Sequence, residues 1–260
     1  MSIEHISPTS LGLFSRCREA FRRRYLCGDI IPPGVAACIG TGVHRAAETN
    51  HRQKLETGAD LPVDDIKDAA RDGFDKAISG GVFLTEEEKS EAGKVLGEGA
   101  DTAVTIAAAY AEKVAPLIAP VLVEERLTAE VPGIDVPFLG VVDVVDVNHV
   151  CRDLKTAGKK WAAGKASTEL QPPIYRYLME ANGHQFGDFS FEVLTHKGEH
   201  QQCATVPRPE DMTPIIARAK SLLAAVRSGD FPPPEPGHWM CSPKWCGYYY
   251  TCPHIPDYMK

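Results

Sequence analysis

The chain has 260 residues, enough for one large domain or two small ones with a sizeable buried core. Apolar residues make up 43% of the sequence and charged residues 24%, which excludes a disordered, collagen-like or coiled-coil chain. Asp and Glu (35) outnumber Lys and Arg (28), giving a net charge of −7. This balance argues against coating of nucleic acid by bulk charge, but it allows a local basic patch.

The N-terminal residues and the apolar pattern bear on location. Residues 1–5 contain no basic stretch followed by an apolar one, so we expect no secretory signal. No apolar run approaches the ~18 residues that a membrane span requires. We therefore expect a cytoplasmic protein with no membrane partner. In that reducing compartment its eight cysteines are more typical of metal ligands or reactive thiols than of disulfides.

Helical patterns fill the first half of the chain. Ser7 as N-cap and Pro8 in the first turn predict a helix start. One apolar stripe at helical spacing follows, comprising Leu11, Phe14, Phe21 and Tyr25. Further helices are predicted over residues 40–56, 64–80 and 85–113. In the first of these, His44, Glu48 and His51 share one side. The last one starts with a capping box at Thr85, and the region reads as a packing layer or a lid.

Strand patterns dominate after residue 120. They cover residues 121–131, 138–147, 149–155, 188–196 and 200–206, the last two forming a hairpin that turns at Lys197-Gly198. Helices are predicted over 169–182 and 213–227, and a stiff proline-rich linker over 231–237 leads into the C-terminal tail. This order predicts an α/β fold, a mixed sheet flanked by helices.

Two acidic residues and a lysine occupy neighbouring strands. Asp153 and Lys155 share one strand face. If the hairpin has an odd loop centred on Asn148, Asp143 lies opposite Asp153, whereas a two-residue loop offsets Asp143 by one. Opposed Cβ atoms are about 4.5–5.5 Å apart, a distance at which two carboxylates hold one divalent cation. The alternative is a surface hairpin with solvated charges. It suits Asp146 and Arg152, which this register pairs on the other face.

Basic and aromatic residues offer contacts to nucleic acid. Two clusters stand out, Arg22, Arg23 and Arg24 in the first helix and Lys159 and Lys160 after the acidic strand. Aromatic residues near them are Trp161, Trp245, Tyr248, Tyr249 and Tyr250. They are candidates for stacking on unpaired bases, although ordinary packing is favoured for most of them.

The C-terminal tail carries a C-x4-C-x5-C pattern made by Cys241, Cys246 and Cys252. Three clustered thiolates need a fourth ligand, and such a set suits zinc or an iron–sulfur cluster. Candidates for the fourth position are Cys17, Cys27 and Cys38. Cys151 and Cys203 fall in predicted strands and are expected to be packing residues.

Four short motifs in order resemble those of RecB-type nucleases in the PD-(D/E)XK superfamily. Residues 40–48 (GTGVHRAAE) resemble a G-T-x-x-H-x-x-x-E segment, and residues 140–143 (GVVD) resemble a G-x-x-D motif. Residues 153–156 (DLKT) resemble a D-x-K-T motif, and residues 171–175 (QPPIY) resemble a Q-x-x-x-Y motif. The resemblance covers most of the chain apart from a variable helical insertion over residues 57–120.

The resemblance implies a restriction-endonuclease-like fold and a DNA-cleaving site that uses Mg²⁺ or Mn²⁺. The implied metal ligands are His44, Asp143, Asp153 and the carbonyl of Leu154. The implied catalytic residues are Asp143, Asp153, Lys155, Gln171 and Tyr175. In that set the lysine positions the attacking water, and the last two help to place the DNA strand and the lysine. The Pro172-Pro173 pair puts Gln171 at a helix start.

Iron–sulfur nucleases of the superfamily, including the AddB nuclease domain and CRISPR-adaptation nucleases, have one cysteine before the His motif and three near the C-terminus. Cys17 matches the first position, and the tail supplies Cys241, Cys246 and Cys252. The resemblance therefore implies a structural [4Fe-4S] cluster, with zinc as the alternative. It implies that the tail, residues 237–260, packs with the N-terminal helix in a single domain over residues 1–260.

The sequence thus predicts a metal-dependent DNA exonuclease that acts on single strands or duplex ends. The resemblance implies a role in recombination or repair, with a phage as one source of such an enzyme. It also implies partner proteins from recombination or CRISPR adaptation. One alternative is a CRISPR-adaptation nuclease that trims spacer precursors. Another is a non-catalytic DNA-binding iron–sulfur scaffold, which the set of Asp143, Asp153 and Lys155 argues against.

Overall fold

One mixed five-stranded sheet forms the centre of the molecule in the computed structural model, which describes residues 2–235 and 237–260. The strands lie in chain order across the sheet, and every neighbouring pair is antiparallel except β3 and β4, which are parallel. They are β1 (Pro120–Ala129), β2 (Phe138–Asp146), β3 (Cys151–Ala157), β4 (Phe189–Thr195) and β5 (His200–Thr205). The predicted mixed sheet and its hairpin over β4 and β5 are confirmed.

Eight α-helices cover the two faces of this sheet in the described part of the chain. They are α1 (Pro8–Arg16), α2 (Arg18–Phe21), α3 (Val35–Thr57), α4 (Val63–Ser79), α5 (Glu86–Ser90), α6 (Ala92–Lys113), α7 (Gln171–Ala181) and α8 (Met212–Ser228). A π-helical turn, Arg22–Leu26, follows α2. None of the described helices has the length and apolar character that a membrane crossing demands.

Two hydrophobic cores lie on opposite faces of the sheet. On one face α3, α4 and α6 pack together, and Phe74 and Ile106 are buried in the same cluster as Leu194 of β4. On the other face α1, α7 and α8 enclose a core that includes Phe138 and Phe191. Of the helices predicted over 64–80 and 85–113, the second packs on the sheet through α6, and the first packs on α3 and α6. Together they form a packing layer.

The first helical region departs from the continuous helix that the apolar stripe predicts. Cys17 has extended backbone (φ −157°, ψ 109°) and separates α1 from α2. Its sulfur accepts a hydrogen bond from the N–H of Ala20 at 3.4 Å, so it caps the N-terminus of α2. Nothing in the sequence signals this break, because cysteine is not a usual N-cap residue and because the apolar spacing continues across Cys17.

Two other helix boundaries also differ from the expected ones. The helix predicted over 40–56 begins five residues earlier, at Val35. The helix predicted over 85–113 is interrupted at Glu91, whose backbone (φ −122°, ψ 28°) lies outside the helical region. The capping box at Thr85 is present as predicted. Of the predicted linker, Pro236 lies outside the described residues.

The pairing of Asp146 with Arg152 is correct, but the expectation that these charges are solvated is wrong. Arg152 Nε donates to Asp146 Oδ2 at 2.9 Å, and Arg152 Nη1 donates to Glu192 Oε1 at 2.6 Å. His200 Nε2 lies 2.7 Å from Glu192 Oε2. Both carboxylates are buried, because α3 and α6 cover this face of the sheet. Each buried charge is thus partnered, as burial requires.

The C-terminal tail lies against the N-terminal region. The Tyr248 hydroxyl donates to the carbonyl of Asp29, and Arg23 Nη1 donates to the carbonyl of Thr251 at 3.1 Å. The Arg23 guanidinium also lies over the Tyr248 ring, 4.5 Å from its centroid. These contacts join residues more than 200 positions apart in the chain.

Candidate active site

The hairpin of β2 and β3 has the register that the sequence predicts. Val144 pairs with Arg152 and Val145 with Cys151, so the hairpin is centred on Asn148. Beyond these pairs Asp143 Oδ2 accepts a hydrogen bond from the N–H of Leu154 at 2.9 Å. A side chain thus takes the place of the backbone ladder, and the two strands part at the acidic residues.

Two glycines let α3 approach this point closely. A Cβ at Gly40 would lie 3.3 Å from Thr156 Oγ1 on β3, and one at Gly42 would lie 2.6 Å from the carbonyl oxygen of Ala70 on α4. The first contact packs the start of the GTGVH segment against β3, and the second packs α3 against α4. His44, one turn further along α3, is thereby brought to Asp143 of β2.

His44 and Asp143 form the first contact of the site. His44 Nδ1 lies 3.2 Å from Asp143 Oδ2. Burial disfavours the imidazolium, but the charge and hydrogen bond of Asp143 outweigh it and raise the pKa of His44 to about 9. Burial likewise opposes ionisation of Asp143, yet His44 and the Leu154 N–H hold its pKa below the usual range. Asp143 is therefore the ionised carboxylate of the site.

Asp153 and Lys155 form the second contact. Lys155 Nζ lies 2.6 Å from Asp153 Oδ2, and Gln171 Nε2 donates to Asp153 Oδ1 at 2.7 Å. Burial and then the charge of Asp143 raise the pKa of Asp153 to about 6. The Tyr175 hydroxyl, on the same side of α7 as Gln171, donates to the carbonyl of Val141 at 2.8 Å. All six side chains that the resemblance assigns to metal binding or catalysis therefore meet at one place.

Glu124 of β1 joins this group, although it lies outside all four sequence motifs. One carboxylate oxygen of Glu124, one of Asp143 and a ring nitrogen of His44 all lie within 4.8 Å of one another. Burial and then the charge of Asp143 raise the pKa of Glu124 to about 7. Its backbone has φ +50°, which costs a non-glycine residue about 1–3 kcal/mol. The only sequence signal for Glu124 is that it follows directly on the apolar residues with which the strand begins.

The three α3 side chains predicted to share one side do line one cavity together with Glu124 and Asp143. Only His44 reaches the carboxylates. Glu48 is paired with Arg45 (2.8 Å) and Arg52 (2.9 Å), so its charge is already balanced. His51 is buried and lies 3.0 Å from the hydroxyl of Tyr110, and burial lowers its pKa to about 4. His51 is therefore a neutral packing residue.

Only some of the side chains predicted to bind DNA are exposed to solvent and could contact a DNA strand. Arg22 forms a double hydrogen bond with Glu19, and Arg23 is held by Asp29 and the tail. Both guanidinium groups are thus used inside the molecule, which the run of arginines did not reveal. The exposed members of the predicted set are Arg24, Lys159 and Lys160, of which Lys160 forms an exposed ion pair with Glu199 at 3.3 Å. Among the aromatic candidates, Tyr248 and Tyr249 are buried, whereas Trp245 and Tyr250 are exposed.

The four cysteines predicted to form a cluster lie in one neighbourhood. Burial raises the pKa of the Cys17 thiol, and the nearby thiols of Cys246 and Cys241 raise it further. The thiol of Cys252 likewise contributes to the raised pKa values of Cys241 and Cys246. Within residues 2–235 and 237–260, no three cysteine sulfurs lie within 4.8 Å of one another. Cys38 and Cys151 are instead fully buried in the two cores.

Three comparisons relate this chain to known proteins. A sequence model of the family described as the PD-(D/E)XK nuclease superfamily matches residues 5–253. A crystal structure described as a "Putative exonuclease" from Eubacterium rectale superposes with a TM-score of 0.58 at 14% identity, covering 88% of this chain and 84% of that chain. The structure of SSO0001 gives a TM-score of 0.45 at 13% identity, over 98% and 89% of the two chains. No curated protein is significantly similar in sequence.

Proposed function

Because this chain belongs to the PD-(D/E)XK nuclease superfamily, we propose that it is a divalent-metal-dependent DNA exonuclease. The observation that carries the proposal is the meeting of His44, Asp143, Asp153 and Lys155 where β2 and β3 separate. A scaffold protein has no use for a buried carboxylate pair whose charges repel each other, whereas a hydrolase that binds a cation does.

The donor set fits Mg²⁺ or Mn²⁺. Carboxylate oxygens and one imidazole nitrogen are ligands that these ions accept, and His44 and Asp143 already lie 3.2 Å apart. In the proposed site Asp153 and the Leu154 carbonyl complete the protein ligands. A cation bound there supplies positive charge to the phosphate oxygens and lowers the pKa of a bound water.

Lys155 is proposed to orient the attacking water and to offset the charge that develops on the phosphate. Its ammonium is kept in place by Asp153, whose other oxygen accepts from Gln171. Tyr175 anchors the start of α7 to β2 through the Val141 carbonyl. Gln171 and Tyr175 therefore act as positioning residues, since they fix the carboxylate that holds the lysine.

The proposed substrate is a DNA single strand or duplex end. Lys159 and Lys160 are exposed directly after the strand that carries Lys155, where they meet the phosphates that flank the scissile bond. Arg24 offers a further contact. The pairing of Arg22 and Arg23 inside the molecule removes those two side chains from the proposed DNA surface.

The proposal includes a structural [4Fe-4S] cluster bound by Cys17, Cys241, Cys246 and Cys252. A single zinc ion binds each sulfur at about 2.3 Å and so draws four sulfurs to within about 4 Å of one another. No three of the described cysteine sulfurs lie within 4.8 Å of one another. Because Cys17 and the three tail cysteines also follow the cysteine pattern of the iron–sulfur nucleases, we favour the four-iron cluster over zinc. When bound, the cluster would link the α1–α2 junction to the tail.

Cleavage of end-labelled linear DNA tests the activity. Wild type and Lys155→Ala are compared on single-stranded and duplex DNA and on closed circles, with Mn²⁺, Mg²⁺ or EDTA. We expect metal-dependent loss of linear DNA by wild type, sparing of circles, and at least a 100-fold lower rate for Lys155→Ala. Lys220→Ala, on the exposed face of α8, serves as the matched control. Cleavage of circles at the same rate would contradict the exonuclease assignment.

A further inference from the structure

Glu124 lies on β1 opposite Asp143, one of the proposed metal ligands. On either side of it, Val123 pairs with Val144 and Glu125 pairs with Val142, so Glu124 faces Asp143 across the β1–β2 ladder. At this step the side chains of both strands switch from one face of the sheet to the other. Val142 is buried in the core under α7, whereas Val144 is buried in the core under α3. The positive φ of Glu124 accompanies that change on the β1 side.

The side chain of Glu124 lies beside His44 and Asp143, two of the proposed metal ligands. One of its carboxylate oxygens, a carboxylate oxygen of Asp143 and a ring nitrogen of His44 lie within 4.8 Å of one another. In the described part of the chain it forms no ion pair, whereas Glu48, which lines the same cavity, is neutralised by two arginines. Two carboxylates that face each other, with only the single charge of the His44 imidazolium beside them, are arranged for an ion that has two positive charges.

We propose that Glu124 is a further protein ligand of the divalent cation, bound together with His44 and Asp143. The inference rests on the proposed metal-dependent function and adds to it a ligand that none of the four motifs contains. Glu124 and Asp143 together supply the two negative charges that balance the charge of the ion, with His44 as a neutral ligand. Lys155 and Gln171 hold Asp153 in place, and the charge of Lys155 offsets that of Asp153.

Binding of Mn²⁺ alone, without DNA, tests the proposal. The electron paramagnetic resonance signal of free Mn²⁺ is followed during titration of wild type, Glu124→Gln and Glu125→Gln. The last variant is the matched control, because it changes the same chemical group one residue further along β1, and Glu125 lies outside the cavity. Circular dichroism and melting temperature in EDTA confirm that each variant is folded.

We expect Glu124→Gln to weaken Mn²⁺ binding at least fivefold and Glu125→Gln to leave it within twofold of wild type. A folded Glu124→Gln protein whose Kd is less than fivefold weaker overturns the inference, as does equal weakening by both variants. Glu124→Asp, which keeps the charge, is expected to bind better than Glu124→Gln if the carboxylate is a ligand.

Failure of the Glu124 inference can be distinguished from failure of the proposed nuclease function. Wild type that binds Mn²⁺ through Glu124 but leaves DNA intact supports the inference and contradicts the nuclease assignment. Wild type that cleaves DNA with Mn²⁺ while Glu124→Gln binds the ion as tightly contradicts the inference alone. Wild type that binds no Mn²⁺ at millimolar concentration overturns both.

Discussion

Three carboxylates and one imidazole crowd the place where β2 and β3 part, and their protons are distributed unevenly. Asp143 is ionised because His44 and the Leu154 N–H stabilise its charge. Burial and, after it, the charge of Asp143 raise the pKa of Asp153 to about 6 and that of Glu124 to about 7. Without a cation the site therefore keeps protons that it would release on binding one.

This uneven distribution predicts how stability depends on pH without metal. The stabilisation from Asp153 and Glu124 is fully present below their unfolded pKa values and is lost as the pH rises through about 6 and 7. That from His44 is present below about 6.5 and is lost as the pH rises through about 9. In EDTA the melting temperature should therefore fall between pH 5.5 and 8, by on the order of 5 °C.

Mn²⁺ should reverse this trend, because the ion takes the place of the protons. The increase in melting temperature caused by Mn²⁺ should be larger at pH 8 than at pH 5.5. Differential scanning calorimetry at both pH values, with Mn²⁺ and with EDTA, measures it. Asp153→Asn should show a smaller fall with pH in EDTA. An Mn²⁺ effect of equal size at the two pH values would contradict the coupling.

The sequence alone predicts most of this site but not all of it. His44, Asp143, Asp153 and Lys155 follow from motif spacing and from a hairpin whose short loop fixes its register. Glu124 does not, since β1 and β2 are joined by residues 130–137, and a connection of that length does not fix which residues face each other. A positive φ at a non-glycine residue leaves no mark in the sequence either.

At the scale of elements, the distance between α7 and β2 depends on Gly140. A Cβ at this position would lie 2.7 Å from the Tyr175 ring and 2.8 Å from Leu178. The glycine of the GVVD motif thus provides the space in which α7 lies flat on the strand. Gln171 at the start of that helix reaches Asp153 only because of this close packing.

Gly140→Ala should therefore damage both stability and activity. Overpacking of this kind costs about 1–3 kcal/mol, and the shift of α7 should move Gln171 away from Asp153 and lower the cleavage rate at least tenfold. Thermal melting and single-turnover cleavage measure the two effects. Gly93→Ala, where an added Cβ meets no atom within 4 Å, is the control and should change neither. Full activity in a destabilised Gly140→Ala protein would contradict the positioning role.

The helices illustrate where prediction from local patterns ends. Apolar spacing located the helical regions, because amphipathic stripes report which side is buried. The breaks at Cys17 and Glu91 escaped it, since the same apolar spacing continues across Cys17 and the second break lies in an exposed, polar segment. The buried group of Asp146, Arg152 and Glu192 escaped as well, because burial of β2 and β3 on that face depends on α3 and α6, which come earlier in the chain.

At the scale of the whole molecule, the two ends of the chain meet at the four cysteines. The break at Cys17 turns its thiol toward the tail, where Cys241 and Cys246 lie close enough to affect its pKa. The tail has only short helical turns of its own between residues 237 and 260, so its place depends on these contacts and on hydrogen bonds such as that from Tyr248 to Asp29. A cluster at this point would close a loop of most of the chain.

Loss of one cluster ligand should therefore release the tail and lower stability. Closing so long a loop contributes about 4–5 kcal/mol on the chain-entropy estimate for a covalent cross-link, which corresponds to on the order of 10 °C in melting temperature. Anaerobically purified wild type should be brown, with absorbance near ~400 nm, and Cys17→Ser and Cys241→Ser should lose both colour and stability. Cys203→Ser, outside this group, should keep both. Colourless wild type with one equivalent of zinc would contradict the iron–sulfur assignment, while equal melting temperatures for all three variants would show that the thiols do not hold the chain ends together.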